Sequence, residues 1–220
     1  MRDTALILVA LAGAMLAVIL SAQAQADDPP AQTDYDRVVR DRARKIVDTL
    51  SLDDAAQADR VTNIIAQLYK DLSAIHDARD QALKRADTDE EKSAIQEQIQ
   101  QQIQTLHAAY LQHLAEHLTD QQIEQVKDGM TYNVANITYQ AYLDMLPNLT
   151  DEQKAQIRAM LIEAREVAMD GGSSKDKHAV FGKYKGRINN YLSAQGYDLK
   201  QATQDWAERR KAQQQDSAGE

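Results

Sequence analysis

Val180 to Tyr191 reads Val-Phe-Gly-Lys-Tyr-Lys-Gly-Arg-Ile-Asn-Asn-Tyr, and Gly196-Tyr197-Asp198 follows shortly after. Two glycines, three cations, two asparagines and several rings in one apparent helix exceed what helix building requires. Each mid-helix glycine costs about 1 kcal/mol against alanine. The pair must therefore be offset by close packing of another backbone or by access for a ligand. Val180 or Phe181, Tyr184, Ile188, Tyr191 and Leu192 fall on one helical stripe and are expected inside. Lys183, Arg187 and Asn190 then line an adjacent face. Tyrosine rings there could stack on a sugar or another flat ligand while the cations and amides bind its polar groups.

Three further segments carry chemistry. Lys127-Asp128-Gly129-Met130-Thr131-Tyr132 interrupts a helical pattern with glycine. It reads either as a simple kink or helix boundary or as a polar loop facing the 180–191 segment. Together the two segments define an expected ligand surface of Lys127, Asp128, Tyr132, Tyr139, Lys183, Tyr184, Arg187, Asn190 and Tyr191. A second polar cluster is His76, Asp77, Arg79 and Asp80, with His76 and Asp80 one turn apart. It can bind a polar ligand or move protons, or it can be a plain ion-paired helix edge. His113-Leu114-Ala115-Glu116-His117 matches the H-x-x-E-H spacing of some zinc enzymes. A third ligand would have to come from Glu163 or Glu166, and Leu114 and Leu118 already account for that helix face. No metal, no cofactor and no catalytic residue is assigned. Paired carboxylates drawn from Asp77, Asp80, Asp128 and Asp144 remain an enzymatic alternative, whose mechanism would turn on their separation.

The elements that must position these residues are helical throughout. Apolar residues recur at helical spacing over about 34–50, and no run shows sustained strand alternation. Ser51, with Asp54 three residues on, is expected to cap a second helix reaching about Ala86. Asp87-Thr88-Asp89 opens a third, whose isoleucines recur every four residues among glutamines. Helices two and three should form a long antiparallel hairpin. Leu118-Thr119-Asp120-Gln121-Gln122 and Leu149-Thr150-Asp151-Glu152-Gln153 repeat a capping box, and in the first copy Leu118 can staple against Ile123. Pro147 ends a Tyr-rich helix. Ser173 or Ser174 caps the next, Gly196 suits its left-handed end, and Asp198 with Gln201 caps a last helix containing Trp206. The expectation is an all-α fold, a multi-helix bundle of seven helices with a long antiparallel hairpin. It would occupy one domain over 34–206, with a polar C-terminal tail over 207–220.

Residues 1–26 read as a signal peptide: Arg2, an apolar run from Ala5 to Leu20, and overlapping A-x-A sites at Ala22 to Ala26. The chain has no cysteine, which removes disulfides and thiol chemistry. Export without disulfides fits a periplasmic or secreted protein that holds no stable membrane anchor once the leader is cleaved. The net charge of -9 disfavours nucleic acid as a partner. One Phe and one Trp against nine Tyr make the aromatic content amphipathic.

Ile75 to Asp80, Lys127 to Tyr132, Asn148 to Thr150, Gly182 to Tyr191 and Gly196 to Asp198, in that order, resemble a family of exported bacterial proteins known as domain of unknown function three-eight-two-six. The resemblance covers roughly Tyr35 to Trp206. It implies an all-helical secreted protein encoded among polysaccharide-utilisation genes, and it transfers no catalytic residue. A looser resemblance, carried by Leu118 to Gln122 and Leu149 to Gln153, is to the LTxxQ periplasmic proteins, which implies a chaperone or stress regulator. The leading expectation is a non-enzymatic accessory or ligand-binding protein linked to polysaccharide use, its partner a glycan or another periplasmic protein. The chaperone and the paired-carboxylate enzyme are the alternatives.

Overall fold

Short-range capping sets where most helices begin. In the computed structural model, which describes residues 34–218, Thr88, Thr119 and Thr150 each accept from the backbone N–H three residues on, and Glu91, Gln122 and Gln153 reach back to complete the box. Ser173 accepts from Asp176 N–H, and Asp198 from Gln201 N–H. The described residues form eight α-helices and no strand: α1 Asp34–Val47, α2 Ala55–Arg85, α3 Asp89–Ala115, α4 Asp120–Met130, α5 Val134–Met145, α6 Asp151–Met169, α7 Ser174–Ala194 and α8 Leu199–Ala218. The signal-peptide reading of 1–26 lies outside the described residues.

Three boundaries differ from expectation. Asp54, not Ser51, caps α2, accepting from Ala56 N–H at 2.8 Å. Leu50 is drawn into the core through a 3-10 turn over Asp48–Leu50, and Ser51 follows in the left-handed region at φ 51°. Tyr132 and Asn133 both have positive φ, 58° and 55°. This left-handed pair ends α4 and restarts the chain as α5, which is the helix-boundary reading of that segment, and the described residues form eight helices against the expected seven. Side-chain residues rarely adopt that conformation, which costs on the order of 1–2 kcal/mol each. α3 stops at Ala115, short of the expected Leu118. Finally, α8 runs past residue 207, where a tail was expected, to Ala218. Arg209 ties it to the end of α5 by donating to Asp144 O at 2.9 Å.

The 31 residues of α2 span about 46 Å at 1.5 Å per residue. α3 returns along it after a short connection, forming the expected hairpin. Two apolar cores result. Val39, Ile46, Val61, Ile65, Leu72, Tyr110, Leu114 and Val126 belong to the first, built by α1–α4. Tyr142, Ile157, Leu161, Ala164, Phe181, Ile188 and Leu192 belong to the second, built by α5–α7 with α8 packed on its edge. Leu118 and Ile123 share the first core, as a staple requires. α6 serves both: Ala164 and Ala168 lie in the second core, and Met169 lies in the first. Among the described residues no helix is long and apolar enough to cross a membrane.

Candidate ligand groove at the seam of the two cores

Where the two cores meet, α6 places charge in its own apolar register. Arg165 falls on the stripe of Ile157, Leu161, Ala164 and Ala168, and its side chain is 2% exposed. Its Nη1 donates to Asp128 Oδ1 at 2.7 Å, and its Nη2 to Glu124 and, at 3.1 Å, to Glu166. Its Nε is buried without a hydrogen-bond partner among the described residues. Lys127 pairs with Glu124 and Glu166, both at 3.1 Å. His107 of α3 donates from Nδ1 to Asp170 Oδ1 at 2.9 Å and turns Nε2 toward Glu166 at 3.7 Å. Asn136 donates to Asp128 Oδ2 at 2.8 Å and accepts from Arg158, whose guanidinium lies 5.5 Å over the Tyr139 ring.

The electrostatics of this network follow from its pairing. Hydrogen bonds to Asp170 and then Glu166 hold His107 up at about 9, against the effect of burial. Burial pushes Glu166 up, but bonds from His107 and Lys127 outweigh it and bring the carboxyl down to about 2. Burial also opposes the Arg165 charge, yet Asp128 and Glu124 hold it above the ordinary arginine value.

Lys177 is the second charge set in an apolar stripe, one turn before Phe181 and almost fully buried. Its Nζ donates to Met130 O at 3.2 Å and Met169 O at 3.1 Å, so it caps the C-terminal ends of α4 and α6 at once. It lies 5.5 Å over the Tyr69 ring, and burial lowers it to about 8.

The network opens on one side into a groove of about 560 Å³ between α2, α3 and the end of α6. Its polar rim is His76, Arg79, Asp80, Gln96, Gln100 and Asp170, above the aliphatic Leu83, Ile99 and Val167. His76 Nδ1 lies 2.9 Å from Arg79 Nη1, and His76 Nε2 lies 2.7 Å from Asp170 O. A guanidinium can only donate and a carbonyl can only accept, so Nδ1 is the acceptor, Nε2 carries the hydrogen, and this imidazole is neutral. The His76 ring is fitted against Gly172, where a Cβ would stand 2.7 Å from Cδ2. Three of the four residues of the expected second cluster thus line one concavity. Asp77 is exposed and does not line it.

The expected nine-residue surface is divided. Lys127, Asp128 and Tyr139 belong to the seam network. Tyr132 is exposed and stacks on His178, with ring centroids 5.6 Å apart. On α7, Tyr184 is buried and donates to Glu163 at 2.7 Å, while Arg187 pairs with the same carboxylate at 3.2 Å and covers the Tyr184 ring. Lys183 and Asn190 are exposed, and Tyr191 is half-buried. The two segments meet through the first turns of α7, at Lys177 and His178. Lys183, Arg187 and Asn190 lie one to three turns further along. Nor do Gly182 and Gly186 admit a neighbouring backbone, for nothing stands within 4 Å of a Cβ built on either. The close approach is instead at Gly129, where a Cβ would stand 3.0 Å from the Ile46 side chain.

The H-x-x-E-H stretch spans the end of α3. α3 ends at Ala115, Glu116 is its C-cap, and His117 lies in the turn that follows, while Leu114 and Leu118 are buried in the first core. Among the described residues no group of three or more histidine or acidic side chains is placed to hold a metal ion.

Fold and site together define an all-helical protein of two cores, with a charged network and a polar groove at their seam. The chain belongs to the family described as a protein of unknown function (DUF3826), whose model matches residues 36–212. No curated protein matches it. Similarity to the LTxxQ proteins is not shown, and the two motifs that suggested it are the capping boxes of α4 and α6.

Proposed function

We propose that the protein is an exported, non-enzymatic accessory protein of polysaccharide use that binds an oligosaccharide in the seam groove. The observation that carries this reading is the composition of the groove. A volume of about 560 Å³ is within the range of small-ligand clefts. Arg79, Asp80, Gln96 and Gln100 supply donors and acceptors at its rim, and Leu83, Ile99 and Val167 supply an aliphatic floor for the C–H face of a sugar ring. The A-x-A leader supports export. A catalytic reading has weaker support, since both oxygens of Asp128 are already engaged, by Arg165 and Asn136.

Calorimetric titration with pectin-, hemicellulose- and host-type oligosaccharides tests the reading. Binding by at least one class is expected, with loss in Arg79→Ala and Gln100→Ala. A panel that gives no heat and shifts no groove resonance overturns it.

A further inference from the structure

Of the five N–H bonds of the Arg79 guanidinium, three have partners among the described residues. Nε donates to Asp80 Oδ1 at 2.8 Å, Nη2 pairs with the same oxygen at 2.7 Å, and Nη1 donates to His76 Nδ1 at 2.9 Å. One N–H on each terminal nitrogen is left over, on a side chain 32% exposed at the groove rim. Asp80 Oδ2 has no partner among the described residues and can accept. Two donors in a fixed fork beside an acceptor match a pair of adjacent hydroxyls, each of which can accept one hydrogen bond and donate another.

The charge balance argues against an acidic sugar at this position. The Arg79 cation is already matched by Asp80, and the other carboxylate at the rim, Asp170, is matched by His107. An incoming carboxylate would find no uncompensated cation and would stand beside the Asp80 charge. A neutral ring meets no such repulsion. Gln96 and Gln100, one turn and about 6 Å apart along α3, offer amides to further hydroxyls.

Resting on the oligosaccharide reading of the same groove, we propose that it selects neutral sugars by a vicinal diol held between Arg79 and Asp80, with His76 as the positioning residue that fixes Arg79. His76 is held from behind, by Asp170 O and by the Cβ-free wall at Gly172. Removing its Nδ1 acceptor would free the Arg79 Nη1 N–H it holds and loosen the fork.

Neutral and uronate-containing oligosaccharides of equal length, titrated into the full chain, decide the point. The neutral series should bind at least about tenfold tighter, and Asp80→Asn should narrow or reverse that ratio. Arg79→Lys, which lacks the fork, should lose most binding. His76→Ala should shift the Arg79 Nε–H resonance and weaken the neutral series, and His76→Gln, whose amide oxygen can still accept from Arg79, should restore part of that binding. Thermal unfolding of each variant checks that it folds, and the wild-type ratio decides alone where one does not. Uronates binding as tightly as neutral sugars, or a ratio unmoved by Asp80→Asn, overturns diol selection and leaves oligosaccharide binding standing. An Arg79 Nε–H resonance and a neutral-series affinity both unmoved in His76→Ala overturn the role of His76. Binding of neither series overturns the parent reading as well.

Discussion

Arg165 and Asp128 meet at 2.7 Å across the seam between the cores, the arginine all but sealed from solvent and the aspartate at the water-facing edge. The asymmetry decides what each substitution does. Asp128→Ala leaves a buried guanidinium short of an anion and frees Asn136. A loss of about 3 kcal/mol in urea unfolding is expected. Arg165→Met takes the buried charge away, unpaired Nε included, and the carboxylates left behind keep solvent, Lys127 and Asn136. It should cost less than Asp128→Ala, and the reverse order would show that the arginine acts mainly through its packing.

Stability should depend on pH through three groups of opposite sign. His107 is raised from 6.5 to about 9, so its contribution is complete below pH 6.5 and is lost as pH rises through 9. Glu166 is lowered from 4.5 to about 2, so its contribution is complete above pH 4.5 and is lost as pH falls through 2. Lys177 is lowered from 10.5 to about 8, so folding opposes its charge and the penalty lifts between pH 8 and 10.5. Urea unfolding from pH 5 to 10 should show a decline above 6.5 of at most about 3 kcal/mol. His107→Gln should flatten that decline, and Lys177→Met should remove the relief above pH 8. An unchanged profile in His107→Gln would show that the His107–Asp170 pair does not carry it.

How much of this was legible in the sequence varies with range. The capping boxes at Thr119 and Thr150 depend on atoms three residues apart, so the text alone located them. The stripe of Phe181, Tyr184, Ile188 and Leu192 was equally local. The seam was not, because His76, Gln100 and Asp170 are brought together by three helices, and no spacing rule relates them. A signal existed for the buried cations: Arg165 and Lys177 each occupy an apolar register position, where a charge is expensive unless paired. H-x-x-E-H was a bare spacing match, and the apolar register of Leu114 and Leu118, both in the first core, already accounted for that stretch. The glycine argument looked for close approach at Gly182 and Gly186, although close approach depends on what stands opposite, and at those positions that is open space.

Gly172 shows the contrary case. A methyl group there would lie 2.7 Å from His76 Cδ2 and 3.2 Å from His76 Cβ, so the clash reaches the root of the side chain and the ring cannot simply swing clear. Gly172→Ala should cost about 1–3 kcal/mol, as overpacking does. It should also shift the His76 imidazole resonances, because the bond to Asp170 O must lengthen. A variant of wild-type stability with unmoved His76 signals would mean that the α6–α7 turn yields instead.

Gly182 and Gly186 should respond in the opposite direction. Both lie within α7 on its exposed side, with nothing within 4 Å of an added Cβ, and neither is among the positive-φ glycines. Alanine at either position meets no atom and restricts the unfolded chain, so each substitution should stabilise by up to about 1 kcal/mol. For a chain of this size that raises the melting temperature by roughly 2–4 °C per site. The two gains should add, since the sites share no neighbour that an added methyl would touch. Differential scanning calorimetry of the single and double variants measures this directly. Destabilisation by either alanine would mean that a further surface packs on this face of α7 in solution, and a concentration-dependent melting temperature would then identify that surface as a second copy of the chain.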